Sequence, residues 1–126
     1  MKGGYVDGFV LVVAKKNLKA YAKMARMGGN IWKKHGALEC FECVGDDLHP
    51  HMGGMKCLDF PKLTKTKPGE TVMFSFIVYK SKAHRNAVNA RVMKDPVMND
   101  TTNKNMPMPF DMKRMAYGGF RAIVKL

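Results

Sequence analysis

Long apolar runs are missing from this chain. The longest, Phe9 to Ala14, has six residues, against the roughly 20 that a membrane-spanning helix needs. No membrane span is expected. A disulfide framework is missing too. Three cysteines, an odd number, do not pair completely, and in a reducing cytosol they are free thiols. Behind the opening Met1-Lys2-Gly3-Gly4-Tyr5-Val6-Asp7 there is none of the roughly 7–15-residue apolar stretch that a signal peptide carries. A cytoplasmic location is expected on these grounds. No segment repeats at a fixed period. Acidic residues are scarce: 10 Asp and Glu stand against 22 Lys and Arg, for a net charge of +12. Such an excess favours polyanions. A solvated basic surface has the same composition, so nucleic-acid binding has to show itself through salt dependence.

What is present describes one domain. The 126 residues are 46% apolar, enough for a single core over residues 1–126 and too few for two; disorder is excluded. Tyr5 to Ala14 is dense in β-branched and aromatic residues and apolar on both faces, a strand buried on both sides. Asn17 is the expected N-cap of a helix running to about His35, with Gly36 as its C-cap. Leu18, Tyr21, Ala25, Gly29 and Trp32 recur along one face of that helix, and Lys16, Lys19, Lys23 and Arg26 form a separate basic stripe. Gly28-Gly29 marks either a close approach or a break.

Leu38 to Gly45 is the second strand, and Asp46 to Gly54 a loop rich in Asp, His, Pro and Gly. Met55 to Leu63 reads as a short strand or an irregular arm, and Thr64 to Gly69 as a basic turn. Glu70 to Tyr79 is the third strand, with Val72, Phe74, Phe76 and Val78 alternating against Met73, Ser75, Ile77 and Tyr79. Ser81 caps a second helix that ends near Lys94, before Asp95-Pro96. Its apolar residues split between Ala83, Ala87, Ala90 and His84, Val88, Val92, as for a helix touched on two sides. Asp100 to Pro109 is loop. Met115 to Val124 is the last strand, where Gly118-Gly119 signals a bulge or a close approach.

This order is β-α-β-β-α-β, the ferredoxin-like plan, an α+β fold with an antiparallel sheet. Its helices cover one face of the sheet. The other face is apolar, and a soluble monomer rarely leaves such a patch in water. A second copy related by a two-fold axis is the simplest cover, so a homodimer is expected.

Four stretches carry a family resemblance: Tyr5-Val6-Asp7-Gly8-Phe9-Val10, Glu42-Cys43-Val44-Gly45-Asp46-Asp47, Ser81 to Pro96, and Met108-Pro109-Phe110-Asp111-Met112-Lys113-Arg114-Met115-Ala116-Tyr117-Gly118-Gly119-Phe120. Over nearly its whole length the chain resembles the YbaA-like family of small bacterial proteins of unknown function. The resemblance implies a dimeric α/β barrel of ferredoxin-like subunits. That superfamily includes small monooxygenases, haem-handling enzymes and many proteins without an assigned activity. It transfers no catalytic residue and no cofactor. The chain departs from the family in the loop after Asp47. Leu48-His49-Pro50-His51-Met52-Gly53-Gly54-Met55-Lys56 replaces a usual Val-Pro-x-Gly-Lys there, which implies a reshaped barrel edge.

Several side-chain groups are candidates for chemistry. Cys40 and Cys43 make a C-x-x-C by count, but period two puts their sulfurs on opposite faces of a strand, where neither redox pairing nor a disulfide is favoured. Asp46, Asp47, His49, His51 and Cys57 are metal-ligand types within a short span, yet lack a second pair at ligand spacing. No metal is assigned. Met106, Met108, Met112 and Met115 suit a pliable seam or cavity wall. Phe74 and Phe76 alternate as the base-stacking rings of an RNA-recognition motif do; with Lys16, Lys19, Lys23 and Arg26 they make a nucleic-acid surface the rival reading. Arg85 and Asn89 are four apart on one helix face. With Tyr5, Asp7 and Tyr117 from strands they are expected to line a small-molecule pocket between sheet and helices. There Arg85 is expected to hold a carboxylate ligand bidentately and a Tyr or His to supply a proton.

Overall fold

The apolar alternation of Tyr5–Ala14 becomes β1, and everything else is built around it. The computed structural model describes residues 3–51, 53–99 and 108–126. After β1 come a 3-10 turn at Lys15–Asn17 and α1 at Leu18–Lys34, then β2 at Glu39–Val44. α2 at Phe60–Thr64 precedes β3 at Glu70–Tyr79. α3 at Lys82–Met93, a 3-10 turn at Met112–Arg114 and β4 at Ala116–Arg121 complete the chain. The four strands lie in the order β2-β3-β1-β4, all neighbours antiparallel. This α+β arrangement is consistent with the ferredoxin-like plan read from the element order.

Register decides the faces. Tyr5 pairs with Tyr79, Leu11 with Met73 and Val13 with Thr71, so these residues share one face. There Tyr5 and Tyr79 pack with Ile31 of α1 and with Val88 and Val92 of α3. Leu11, Val13 and Met73 pack with Tyr21 of α1. Each such side chain, fully buried, contributes about 1.5–3 kcal/mol. Val6, Val10, Val72, Phe74, Phe76, Val78, Phe41 and Phe120 fall on the opposite face by the same register. α2 covers one end of that face, where Phe60 meets Phe74 edge-on at 6.2 Å and Val12 and Val72 are buried, but the long helices do not cover the rest. Phe74 remains 46% exposed, Phe41 46% and Phe120 62%. Phe41 stacks on Phe76 at 5.0 Å, and Phe74 meets Phe76 edge-on at 6.0 Å.

Several local expectations change. Asn17 flanks α1 but makes no capping bond through its side chain; its Nδ2 donates instead to the Pro109 carbonyl at 3.5 Å. The helix starts from a 3-10 turn, whose backbone bonds replace the cap. Gly36 does take positive φ, at 114°. The Gly28-Gly29 pair does not break α1. Gly29 lies over Cys40, whose Sγ approaches its carbonyl at 3.9 Å. The expected strand or arm at 55–63 contains α2 instead, begun by Asp59, whose side chain accepts from Lys62 N, with Pro61 in the first turn. Of the two apolar sides expected on α3, only one is packed: Val88 and Val92 are buried between the sheet and α1, while Ala83, Ala87 and Ala90 face outward. The methionines expected at a seam or cavity wall sit in different surroundings. Met115 packs into the core, Met108 and Met112 are exposed, and Met106 lies outside the described residues, as does most of the loop at 100–109. Gly118-Gly119 forms no bulge, since β4 stays in register with β1 through both.

The far ends of the two long helices are tied by Asp95. It is buried, accepts from Val97 N at 2.9 Å and from Lys34 Nζ at 3.1 Å, and lies 2.6 Å from His35 Nε2. Among the described residues no helix is long and apolar enough to cross a membrane.

Candidate functional site

Strand alternation sends Tyr5 and Asp7 of β1 toward the helices, and the β4 register sets Gly119 opposite Asp7 and Tyr117 opposite Phe9 on the same face. α3 approaches with Arg85 and Asn89 one turn apart, because Ser81 accepts from His84 N at 3.1 Å and starts the helix there. The result is a polar cluster under the helix layer.

Arg85 is its centre. Nη2 donates to Tyr5 Oη at 3.1 Å and Nη1 to Tyr117 Oη at 3.2 Å. The guanidinium also sits over the Tyr5 ring, 5.2 Å from its centroid. Tyr117 donates in turn to Asp7 Oδ2 at 3.3 Å, and its ring stacks on Phe9 at 4.7 Å. Asp7 is only 2% exposed. Its Oδ1 has no hydrogen-bond partner and lies 3.8 Å from Arg85 Nη1, at ion-pair range without a hydrogen bond. Arg85 Nε is also buried without an acceptor. Burial raises the Asp7 pKa above the ordinary carboxylate value; the Arg85 charge and the hydroxyls of Tyr117 and Tyr79 pull it down but do not cancel that effect. Burial likewise raises the Tyr117 hydroxyl, with the Asp7 charge adding to it.

Tyr5, Asp7, Arg85 and Tyr117 are therefore brought together in one hydrogen-bonded cluster. Asn89 stands beside them with different partners. Its Oδ1 accepts from Trp32 Nε1 at 3.0 Å and from Tyr79 Oη at 3.5 Å, so it braces α3 against α1 and β3. Three participants were not singled out as site residues from the sequence: Tyr79, Trp32 and Gly119. Tyr79 and Trp32 look like ordinary core aromatics. Gly119 did carry a signal, in the paired glycines. A Cβ there would collide with Tyr5 Oη and stand 2.8 Å from its Cζ. The close approach, not a bulge, explains that glycine.

Other candidates are dispersed. Cys40 pairs with Ile77 on the helix face and Cys43 with Phe74 on the open face, and neither is in a disulfide. His49 Nδ1 lies 3.1 Å from Asp59 Oδ2. Among the described residues no three His, Cys, Asp or Glu side chains gather around a possible metal position. His84 does not enter the cluster; it meets the Tyr79 ring edge-on at 5.9 Å and accepts from Lys80 N at 2.9 Å. Lys16, Lys19, Lys23 and Arg26 are exposed on the helix layer. Phe74 and Phe76 lie on the opposite side of the sheet, so the basic stripe and the aromatic platform do not share one surface.

Comparisons with known proteins agree with the residues. The family model described as "Protein of unknown function (DUF1428)" matches residues 4–112. The chain is 41% identical over 120 residues to the "Uncharacterized protein YbaA" of Escherichia coli (strain K12), a match spanning 95% of this chain and 97% of that one. The same figures hold for the protein of that name from Shigella flexneri. The YbaA-like resemblance is thereby shown.

Proposed function

The chain belongs to the DUF1428 family, and from that premise we propose that it is a cytoplasmic, single-domain protein that works as a homodimer and binds a small molecule at the Asp7–Arg85 cluster. One observation carries the ligand reading. A buried carboxylate and a guanidinium sit side by side with Asp7 Oδ1 and Arg85 Nε lacking hydrogen bonds. Leaving such groups unpaired costs about 1–3 kcal/mol each or more, and functional sites are where proteins tolerate that cost. Arg85 offers a fixed cation for an anionic or carbonyl oxygen. Asp7, with its raised pKa, is suited to hold or release a proton next to it. The exposed ring of Tyr117 reaches from the surface to the Asp7 carboxylate. It is the natural residue for a ligand to displace or bind.

The dimer reading rests on the open sheet face. Phe41, Phe74 and Phe120 are exposed there around Val6, Val10 and Val78. Two copies related by a two-fold axis cover both faces at once and generate the dimeric α/β barrel.

A metabolite panel followed by NMR, on wild type and Arg85→Ala, tests the ligand site. Saturable shifts of the Arg85 Nε–H in wild type, and of the Tyr117 signals in wild type but not in the variant, are expected. A panel without saturable binding removes the reading. Light scattering on a sizing column tests the dimer, with a particle of twice the 14.2 kDa chain mass expected. A stable monomer overturns the barrel. It also favours the second reading, RNA bound on the Phe41, Phe74 and Phe76 rings, which stack on one another on the part of the sheet that α2 leaves open.

A further inference from the structure

A cleft of about 520 Å³ lies against the candidate site, lined by Tyr5, Gly119 and the cations Lys80, Lys82, Arg121 and Lys125. This volume is in the range of small-molecule sites. The strand order explains the gathering. β3 and β4 flank β1 on either side, so Lys80, just past β3, and Arg121, at the end of β4, fall on both sides of Tyr5. Ala122 N donates to Gly4 O at 3.0 Å and Gly4 N to Tyr79 O at 3.0 Å, which fixes the three strand ends together. The amino end of α3 forms another wall through Ser81 and Lys82.

The charge in this cleft is one-sided. No carboxylate lines it, and among the described residues none of its four cations has a carboxylate within ion-pair distance. The first turn of α3 contains no acidic residue either. Four like charges converging on one hollow repel one another, and a bound anion relieves that repulsion. The Ser81 hydroxyl satisfies only His84 N. The earlier amides of α3 have no partner within the helix. Tyr5 joins the cleft to the cluster: it lines the cleft, while its hydroxyl accepts from Arg85.

From this arrangement we infer that the ligand of the Asp7–Arg85 site is a small phosphomonoester, its dianionic phosphate held in the cleft by Lys80, Lys82, Arg121 and Lys125 and its organic part directed past Tyr5 toward Arg85. The inference rests on the small-molecule reading above and names its ligand class. A dianion suits four cations and free helix amides better than a single carboxylate does. A nucleic acid is disfavoured because Lys16, Lys19, Lys23 and Arg26, the basic stripe that would extend the contact along a strand of phosphates, do not line the cleft.

The test uses the full chain labelled with ¹⁵N, at roughly 0.15 M salt so that weak surface attraction is screened. The probes are inorganic phosphate, phenyl phosphate and the neutral benzyl alcohol. Phenyl phosphate is expected to shift the Lys82 and Ala83 amides and the Arg85 Nε–H together and saturably; inorganic phosphate is expected to shift the amides alone. The double variant Lys82→Gln/Arg121→Gln is expected to weaken phenyl phosphate by about tenfold or more, with Lys56→Gln, which does not line the cleft, unchanged. Equal affinity in wild type and double variant overturns the inference. So does displacement of phenyl phosphate by a short single-stranded RNA whose binding falls steeply with salt. The two readings fail separately. If benzyl alcohol moves Arg85 Nε–H while neither phosphate moves the amides, the phosphate inference is lost and the pocket stands. If phosphate moves the amides and no probe reaches Arg85, the anion cleft stands and the pocket reading is lost.

Discussion

Asp7 Oδ1 lies 3.8 Å from Arg85 Nη1 in a nearly water-free position, and no hydrogen bond joins them. Two hydroxyls hold the guanidinium instead, those of Tyr5 and Tyr117. The charge pair is thus positioned but not consumed, which distinguishes it from the bidentate Arg114–Glu70 pair, where Nη1 and Nη2 each donate to one carboxylate oxygen at 2.7 and 3.0 Å.

The raised pKa of Asp7 makes stability depend on pH with a definite sign. The folded chain holds this proton to higher pH than the unfolded chain, whose carboxyl titrates near 3.8. Stability therefore falls as pH rises from about 3.8 through the folded value. Asp7→Asn is expected to remove that fall, so that its stability relative to wild type improves between acidic and neutral pH. Urea melts across that interval check it. A difference that stays constant with pH refutes the assignment of the burial effect to Asp7.

Glu70 behaves with the opposite sign. Hydrogen bonds from Arg114, then from Lys67 N, lower it from 4.5 to about 2. The pair stabilises the fold above about 4.5, and that contribution is lost as pH falls toward about 2. Arg114→Gln is expected to lower Tm at neutral pH and to converge with wild type in acid. Parallel Tm curves from neutral pH to the acid limit refute it.

Two glycines predict opposite outcomes. Gly119→Ala drives a methyl into the Tyr5 ring and its hydroxyl, and is expected to cost about 1–3 kcal/mol and to disturb Arg85. Gly28→Ala, in the middle of α1 with nothing within 4 Å of the new carbon, is expected to stabilise by about 1 kcal/mol. Denaturant midpoints decide both.

Asn89→Ala removes the Oδ1 that accepts from the Trp32 indole N–H and one of the partners of the Tyr79 hydroxyl. A loss of about 1–3 kcal/mol is expected, with a change in tryptophan fluorescence, since Trp32 is the one tryptophan of the chain. An unchanged emission spectrum with unchanged stability shows that the bracing is not needed.

Local pattern was enough for the strands and the two long helices. β3 was legible to the residue because Val72, Phe74, Phe76 and Val78 alternate against Met73, Ser75, Ile77 and Tyr79 without interruption. α3 was legible because Ser81 and Asp95-Pro96 bracket it. α2 was missed because only five residues separate its cap Asp59 from Lys65, too short for an apolar period to appear. Ile31 lies off the expected face of α1, yet is buried, because α1 packs beside α3 as well as over the sheet and Ile31 meets Val88 and Val92 there. In the candidate site, Tyr5, Asp7, Arg85, Asn89 and Tyr117 could be proposed from spacing, because each side's direction follows from its own strand or helix.

Which of these groups touch was decided by register and packing alone. Tyr5 and Arg85 are 80 positions apart, and Asp7 and Tyr117 are 110 apart. A one-residue slip of β4 would turn Tyr117 to the other face of the sheet. Composition determined the +12 charge; the strand order β2-β3-β1-β4 decided that Lys80, Arg121 and Lys125 meet around Tyr5. Hydrophobic periodicity is a local property, legible wherever it is uninterrupted, whereas the proximity of charges carried on different elements exists only after the chain has closed.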